Sequence, residues 1–99
     1  MVKWVAVYRK PDDVEAFDKH YNEVHAPLAA KMPGLLKMEV SKIYGTPVGE
    51  SDLHLIAEMY FESKEALLEA LSSTEGRAAG KDLRGFAGPL VTMHFAEVV

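Results

Sequence analysis

Two segments of this chain, Val2 to Tyr8 and Leu53 to Phe61, are apolar on both faces of an extended strand, and this constrains the fold more than any other feature. In the second, Leu53, Leu55, Ala57, Met59 and Phe61 make one face while His54, Ile56, Glu58 and Tyr60 make the other, and neither reads as fully solvated. Strands of this kind sit centrally in a sheet and need cover on both sides. Only two helical stretches are available, enough for one face of a four-stranded sheet. The second face, on which Trp4 and Met93 or their strand neighbours are expected, therefore calls for another copy of the chain.

The remaining elements follow from punctuation. Pro11 ends the first strand, and Asp12 or Asp13 caps a helix expected over Asp13 to Lys31; Asp12 with Glu15 has the spacing of a capping box. Met32 before Pro33 stops it and Gly34 supplies the reversal. Leu36, Met38 and Val40 alternate with Lys37, Glu39 and Ser41, a half-buried strand ending near Tyr44. Gly45 to Asp52 is a loop. Ser63 caps a second helix with Leu67, Leu68 and Leu71 as its inner stripe. Gly76, Gly80 and Gly85 suggest a short irregular helix plus loop from Glu75 to Phe86, before a last strand over Leu90 to Val98. The order is β-α-β-β-α-β, an α+β ferredoxin-like sandwich with one antiparallel sheet, forming a single domain over residues 1–99.

Composition narrows the function. Mixed charges with a net of −4 argue against the basic stripe of a nucleic-acid binder. The absence of cysteine removes disulfides, thiolate metal sites and a cysteine nucleophile. No apolar run approaches the roughly 18 residues that cross a bilayer, and the chain opens directly on a strand-like segment, so a cytoplasmic location without membrane contact is expected. Neither a phosphate-cradling glycine loop nor a nucleophile-elbow serine is present.

The chemical lead is His25. On a uniform helix, Val14, Phe17, Tyr21, Val24, His25, Leu28 and Met32 share one arc, which turns the imidazole inward. Pro27 has no N–H for the carbonyl of Glu23 and its ring crowds that oxygen, so the turn holding His25 is expected to bend or loosen. An imidazole near its own pKa in such a place can shuttle a proton for a buried organic substrate. Tyr21, Phe17 and Leu28 are expected to contact that substrate, with Glu58 and Tyr60 as further candidates from the sheet; an ion pair or hydrogen bond at the dimer face is the competing role for those two. His20, about 140° from His25 on a regular helix, reads as a surface residue and not as a partner in a metal site. His54 and Glu58 stand about 13 Å apart on one strand face, also too far to share an ion. The expectation is no metal and no cofactor.

Tyr21-Asn22-Glu23-Val24-His25-Ala26-Pro27-Leu28, then Met32-Pro33-Gly34, then Ala57 to Phe61 with Ser63, and finally Glu75-Gly76 to Asp82-Leu83 and Phe86, resemble the EthD family, associated with ethyl tert-butyl ether degradation. The resemblance spans nearly the whole chain and implies a dimeric α+β barrel, a homodimer through the sheet face. It carries His25 over as a pocket residue. Related barrels include cofactor-free monooxygenases, lactone isomerases, polyketide cyclases, dehydratases and heme-degrading proteins, so fold does not settle activity. The leading expectation is a small-molecule-binding protein acting on apolar organic compounds, as a cofactor-free monooxygenase or an oxidoreductase accessory. The alternatives are a proton-transfer enzyme (isomerase, cyclase or dehydratase) using His25, and a non-catalytic ligand-binding module.

Overall fold

The computed structural model describes residues 1–99. Its strands are β1 (Val2–Arg9), β2 (Lys37–Lys42), β3 (Leu53–Phe61) and β4 (Val91–Glu97), all antiparallel in the order β2-β3-β1-β4. The two doubly apolar segments are indeed the central strands. Between β1 and β2 runs a helical stretch made of α1 (Val14–His20), a wide π turn (Tyr21–His25) and α2 (Ala26–Ala29). Helices α3 (Lys64–Ser72) and α4 (Thr74–Ala87), then a 3-10 turn (Gly88–Leu90), lead into β4.

The pairings Trp4 with Met59 and Ala6 with Ala57 fix which face meets the helices. Val2, Trp4, Ala6 and Tyr8 on β1, and Leu55, Ala57, Met59 and Phe61 on β3, are all buried under them. Lys3, Val5, Val7, Ile56, Glu58 and Tyr60 form the opposite face and stay half-buried. Trp4 therefore belongs to the helix-covered face. Met93 and Phe95, paired with Ala6 and Trp4, share that face but remain exposed on the edge strand β4.

Local chemistry sets the helix ends. Asp13, not Asp12, caps α1 by accepting from the Ala16 N–H at 3.0 Å. Ser63 caps α3 through the Ala66 N–H at 3.1 Å, and Leu67 and Ala70 are its buried stripe, with Leu68 turned to solvent. Gly34 takes the left-handed φ of 78° that the reversal after Met32 requires.

The stretch expected to be irregular is instead the longest helix. Ser73 ends α3 and caps α4, accepting from the Gly76 N–H at 3.0 Å. Gly76 has no side chain because there is no room for one: a Cβ there would lie 2.0 Å from the Ala70 carbonyl oxygen. Its helix cost relative to alanine is outweighed by packing Ala79, Leu83 and Ala87, a stripe repeating every four residues, onto the sheet.

One irregularity changes a side chain's direction. β1 and β3 slip in register between Tyr8 and Arg9, so His54 is the unpaired extra residue of a bulge. Its ring reaches α1, with Nε2 2.8 Å from Asp18 Oδ1, and stands edge-on to Phe17 at 5.5 Å. The strict alternation that groups His54 with Glu58 and Tyr60 fails at that residue.

Candidate functional site

A cavity of about 330 Å³ lies between the helices and the sheet, where two buried clusters meet. It exists because small residues oppose one another there. Ala6 and Ala57 pair at the centre of the sheet, while Ala29, Gly76, Ala79 and Gly80 line it from the helices. The remaining wall is largely aromatic and thioether: Trp4, Tyr8, Tyr21, Met32, Met59 and Met93.

His25 faces this space. Phe17, Tyr21, His25 and Ala29 are all buried at intervals of four, although each step of four overshoots a regular turn by about 40°. The π turn absorbs that drift. Its marker is the Ala26 N–H bonding to the Tyr21 carbonyl five residues back, immediately before Pro27, where the sequence requires a loosened turn.

The same wide turn brings His20 and His25 to one partner. His20 Nε2 lies 2.8 Å from Asp82 Oδ1, and His25 Nδ1 lies 3.1 Å from Asp82 Oδ2. The expected 140° separation holds for a regular helix only; in a π turn, residues five apart come onto one side. Phe86, one turn beyond Asp82 on α4, packs against both rings at centroid distances of 4.5 and 5.2 Å. His20 is thus tied into the site, although its side chain keeps 35% exposure against 8% for His25.

This geometry fixes the hydrogen bonding of the buried ring. With an ionised Asp82 accepting from His25 Nδ1–H, the neutral tautomer leaves Nε2, which bonds to nothing in the protein, as the basic nitrogen. Burial lowers the His25 pKa below its usual value, a change that Asp82 only partly offsets and His20 slightly reinforces. Burial also pushes the Tyr21 hydroxyl up to about 12 and raises Tyr8 further, aided by Tyr21 and Asp82, so both phenols stay neutral donors.

Of the other residues singled out from sequence, Tyr21 lines the cavity beside His25, their rings 5.4 Å apart. Phe17 stands behind the site, packed on Tyr8, Tyr21 and Phe86. Leu28 packs against the core cluster that contains Val2 and Trp4, away from the cavity lining. Glu58 and Tyr60 are not brought to His25: with Ala57 and Met59 turned toward the helices, strand alternation sends both to the opposite face. There Glu58 pairs with Lys3 at 2.6 Å, and Lys3 and Lys37 each stand 5.6 Å from the Tyr60 ring. Asp82, Arg77, Arg84 and Trp4 are the site residues that residue-by-residue chemistry passed over. The signal available for Asp82 was its place in the Asp82-Leu83 pair of the family pattern, one helical turn before Phe86. No three His, Asp or Glu side chains converge as a metal-binding group, and no helix is long and apolar enough to cross a membrane.

The model of the EthD domain matches residues 9–89. An uncharacterized 11.0 kDa protein in the thcB-thcC intergenic region of Rhodococcus erythropolis is 34% identical over 97 residues, 98% of this chain and 94% of that protein. An ethyl tert-butyl ether degradation (EthD) family protein from Bacillus halodurans superposes with a TM-score of 0.97 at 47% identity, over 100% of this chain and 99% of that one. The fold alone is shared with SnoaB, a cofactor-independent oxygenase from Streptomyces nogalater (TM-score 0.72, 13% identity, 99% and 92% covered). The same holds for a dimeric ferredoxin-like protein from Jannaschia sp. (TM-score 0.72, 17% identity, 99% and 100% covered). Matched by the family model over most of its length, and by a curated relative above 30% identity, the chain belongs to the EthD domain family.

Proposed function

We propose that this protein binds an apolar organic molecule in the cavity and that His25 accepts or donates a proton there. The observation that carries the reading is the hydrogen bond from His25 Nδ1 to Asp82, which leaves Nε2 unbonded on a residue that lines a largely apolar space. Asp82 orients the ring and stabilises the imidazolium that forms when Nε2 takes the proton, and Nε2 then gives that proton back to the product or to water in the cavity. Substrate deprotonation at a position next to an electron-withdrawing group is the step this arrangement performs.

The likeness to SnoaB favours cofactor-free oxygenation as the outcome of that deprotonation, with isomerisation, cyclisation or dehydration as the second reading. A thermal-shift screen of apolar and phenolic compounds finds the ligand, because a molecule that binds only the folded state raises apparent stability. Turnover of that ligand should fall when His25→Gln removes the base. Unchanged turnover without oxygen overturns oxygenation and leaves proton transfer; unchanged turnover in His25→Gln overturns His25 as the acid or base, and binding with no turnover in the native protein leaves a binding module.

The active unit is a homodimer through the sheet face that the helices leave bare. Val5, Val7 and Ile56 on that face support this reading, as does the dimeric state of the Jannaschia protein. A total buried area of about 1,200–2,000 Å² or more is expected.

A further inference from the structure

We propose that the ligand is an aromatic anion, with a planar apolar body in the cavity and one ionised oxygen group at its rim, met by Arg77 and Arg84. The inference rests on the small-molecule reading above and adds the charge of the ligand to it.

The interior suits a flat, polarisable body. Trp4, Tyr8 and Tyr21 offer ring faces and edges, and Met32, Met59 and Met93 offer thioethers that pack well against aromatic edges. The rim is different. Arg77 and Arg84 stand seven residues apart on α4, two turns or about 10 Å along one side of the helix, and both line the cavity while remaining exposed.

Neither guanidinium has a carboxylate within ion-pair distance, although the chain carries 15 acidic residues against 11 basic ones. Of the eleven basic side chains only Lys3, Lys37, Lys42 and Lys64 are ion-paired, and among the unpaired ones Arg77 and Arg84 are the two that line the cavity. Asp82, on the same helix, gives both its oxygens to His20 and His25. Arg84 folds back along the helix, with Nη1 3.5 Å from where a side chain at Gly80 would begin, and Gly80 itself lines the cavity.

A second, independent observation points to an acceptor. The Nε1–H of Trp4 is buried with no hydrogen-bond partner, on a residue 8% exposed that lines the cavity. A buried donor is seldom left so. A ligand oxygen seated against the indole supplies that acceptor once the ring turns its N–H to the cavity, and the two guanidiniums at the rim, which no carboxylate neutralises, select for the ligand's negative charge.

The test uses the chain's single tryptophan, whose indole N–H is one resolvable signal in a ¹⁵N-labelled sample. Titration with 2-naphthoate and with its uncharged amide should move that signal in both cases, the acid binding about tenfold more tightly at low salt. In Arg77→Gln/Arg84→Gln the two affinities should converge, with the amide's unchanged, which also shows the variant is folded. Equal affinities in the native protein, or a preference for the acid that survives in the double variant, overturns the proposal. His25→Gln should keep the preference for the acid, so failure of the proton-transfer reading and failure of the charge inference are read separately. If neither compound moves the indole signal, the cavity does not take such ligands and the proposal falls with it.

Discussion

His25 Nδ1 lies 3.1 Å from Oδ2 of Asp82, 57 residues further along the chain, and the other oxygen of the same carboxylate meets His20 at 2.8 Å. One side chain therefore fixes the tautomer of the buried ring and links it to a ring in partial contact with water. Asp82→Asn offers a single acceptor oxygen where two N–H groups now donate, so one histidine must change tautomer or lose its bond. Turnover of the ligand found by screening should fall roughly 10²-fold or more with the fold intact. Histidine ¹⁵N shifts should show His25 losing its fixed Nδ1–H form. Because the residues act as a unit, Asp82→Asn combined with His25→Gln should cost little beyond the worse single change.

Stability should depend on pH through His25. Its native pKa is held below the ordinary value of about 6.5, chiefly by burial, so between those two values the unfolded chain binds more protons than the folded one. The sign follows: stability is full above about pH 6.5, falls as pH drops through that value, and levels off below the native pKa. Urea midpoints measured from pH 7.5 to 5 should trace this decline, and His25→Gln should flatten it. An equally steep decline in the variant assigns the effect elsewhere.

Two glycines of α4 should respond oppositely to alanine. At Gly76 a methyl would sit 2.0 Å from one carbonyl oxygen and 2.9 Å from the next, both backbone, so Gly76→Ala must push α3 and α4 apart. A loss of about 2 kcal/mol is expected, despite alanine's better helix propensity. At Gly85 nothing lies within 4 Å, and Gly85→Ala should gain up to about 1 kcal/mol. Thermal melts separate the two, at about 4–8 °C per kcal/mol for a chain of this size.

The bare sheet face gives a test of assembly. Sedimentation at low micromolar concentration should report about twice the 11.0 kDa chain mass. Val7→Asp places a charge at the centre of that face and should yield monomer or aggregate, because an unpaired carboxylate is costly in a dry interface. A native protein that sediments as a well-folded monomer contradicts the dimer.

Much of the fold was legible because it rests on local chemistry. The central strands, the Ser63 cap, the Pro33-Gly34 reversal and the loosened turn before Pro27 each depend on a few neighbouring residues. Where local signals competed with packing, the expectation missed. Three glycines made α4 look broken, yet Gly76 is where two helix ends touch and the Ala79-Leu83-Ala87 stripe holds the helix on the sheet.

The amino-acid sequence by itself determined the element order, the inward turn of His25 and the family, since periodicity, capping and motif spacing are properties of adjacent residues. Tertiary structure alone decided which sheet face meets the helices, and so removed Glu58 and Tyr60 from the cavity while placing Trp4 in its wall. It alone joined His20 and His25 through Asp82, and it turned His54 across a bulge to Asp18. The physical reason is common to these cases. Strand alternation fixes that two faces differ but not which is covered, and one extra residue in a bulge or a π turn rotates a side chain by an amount that only the packed partner selects.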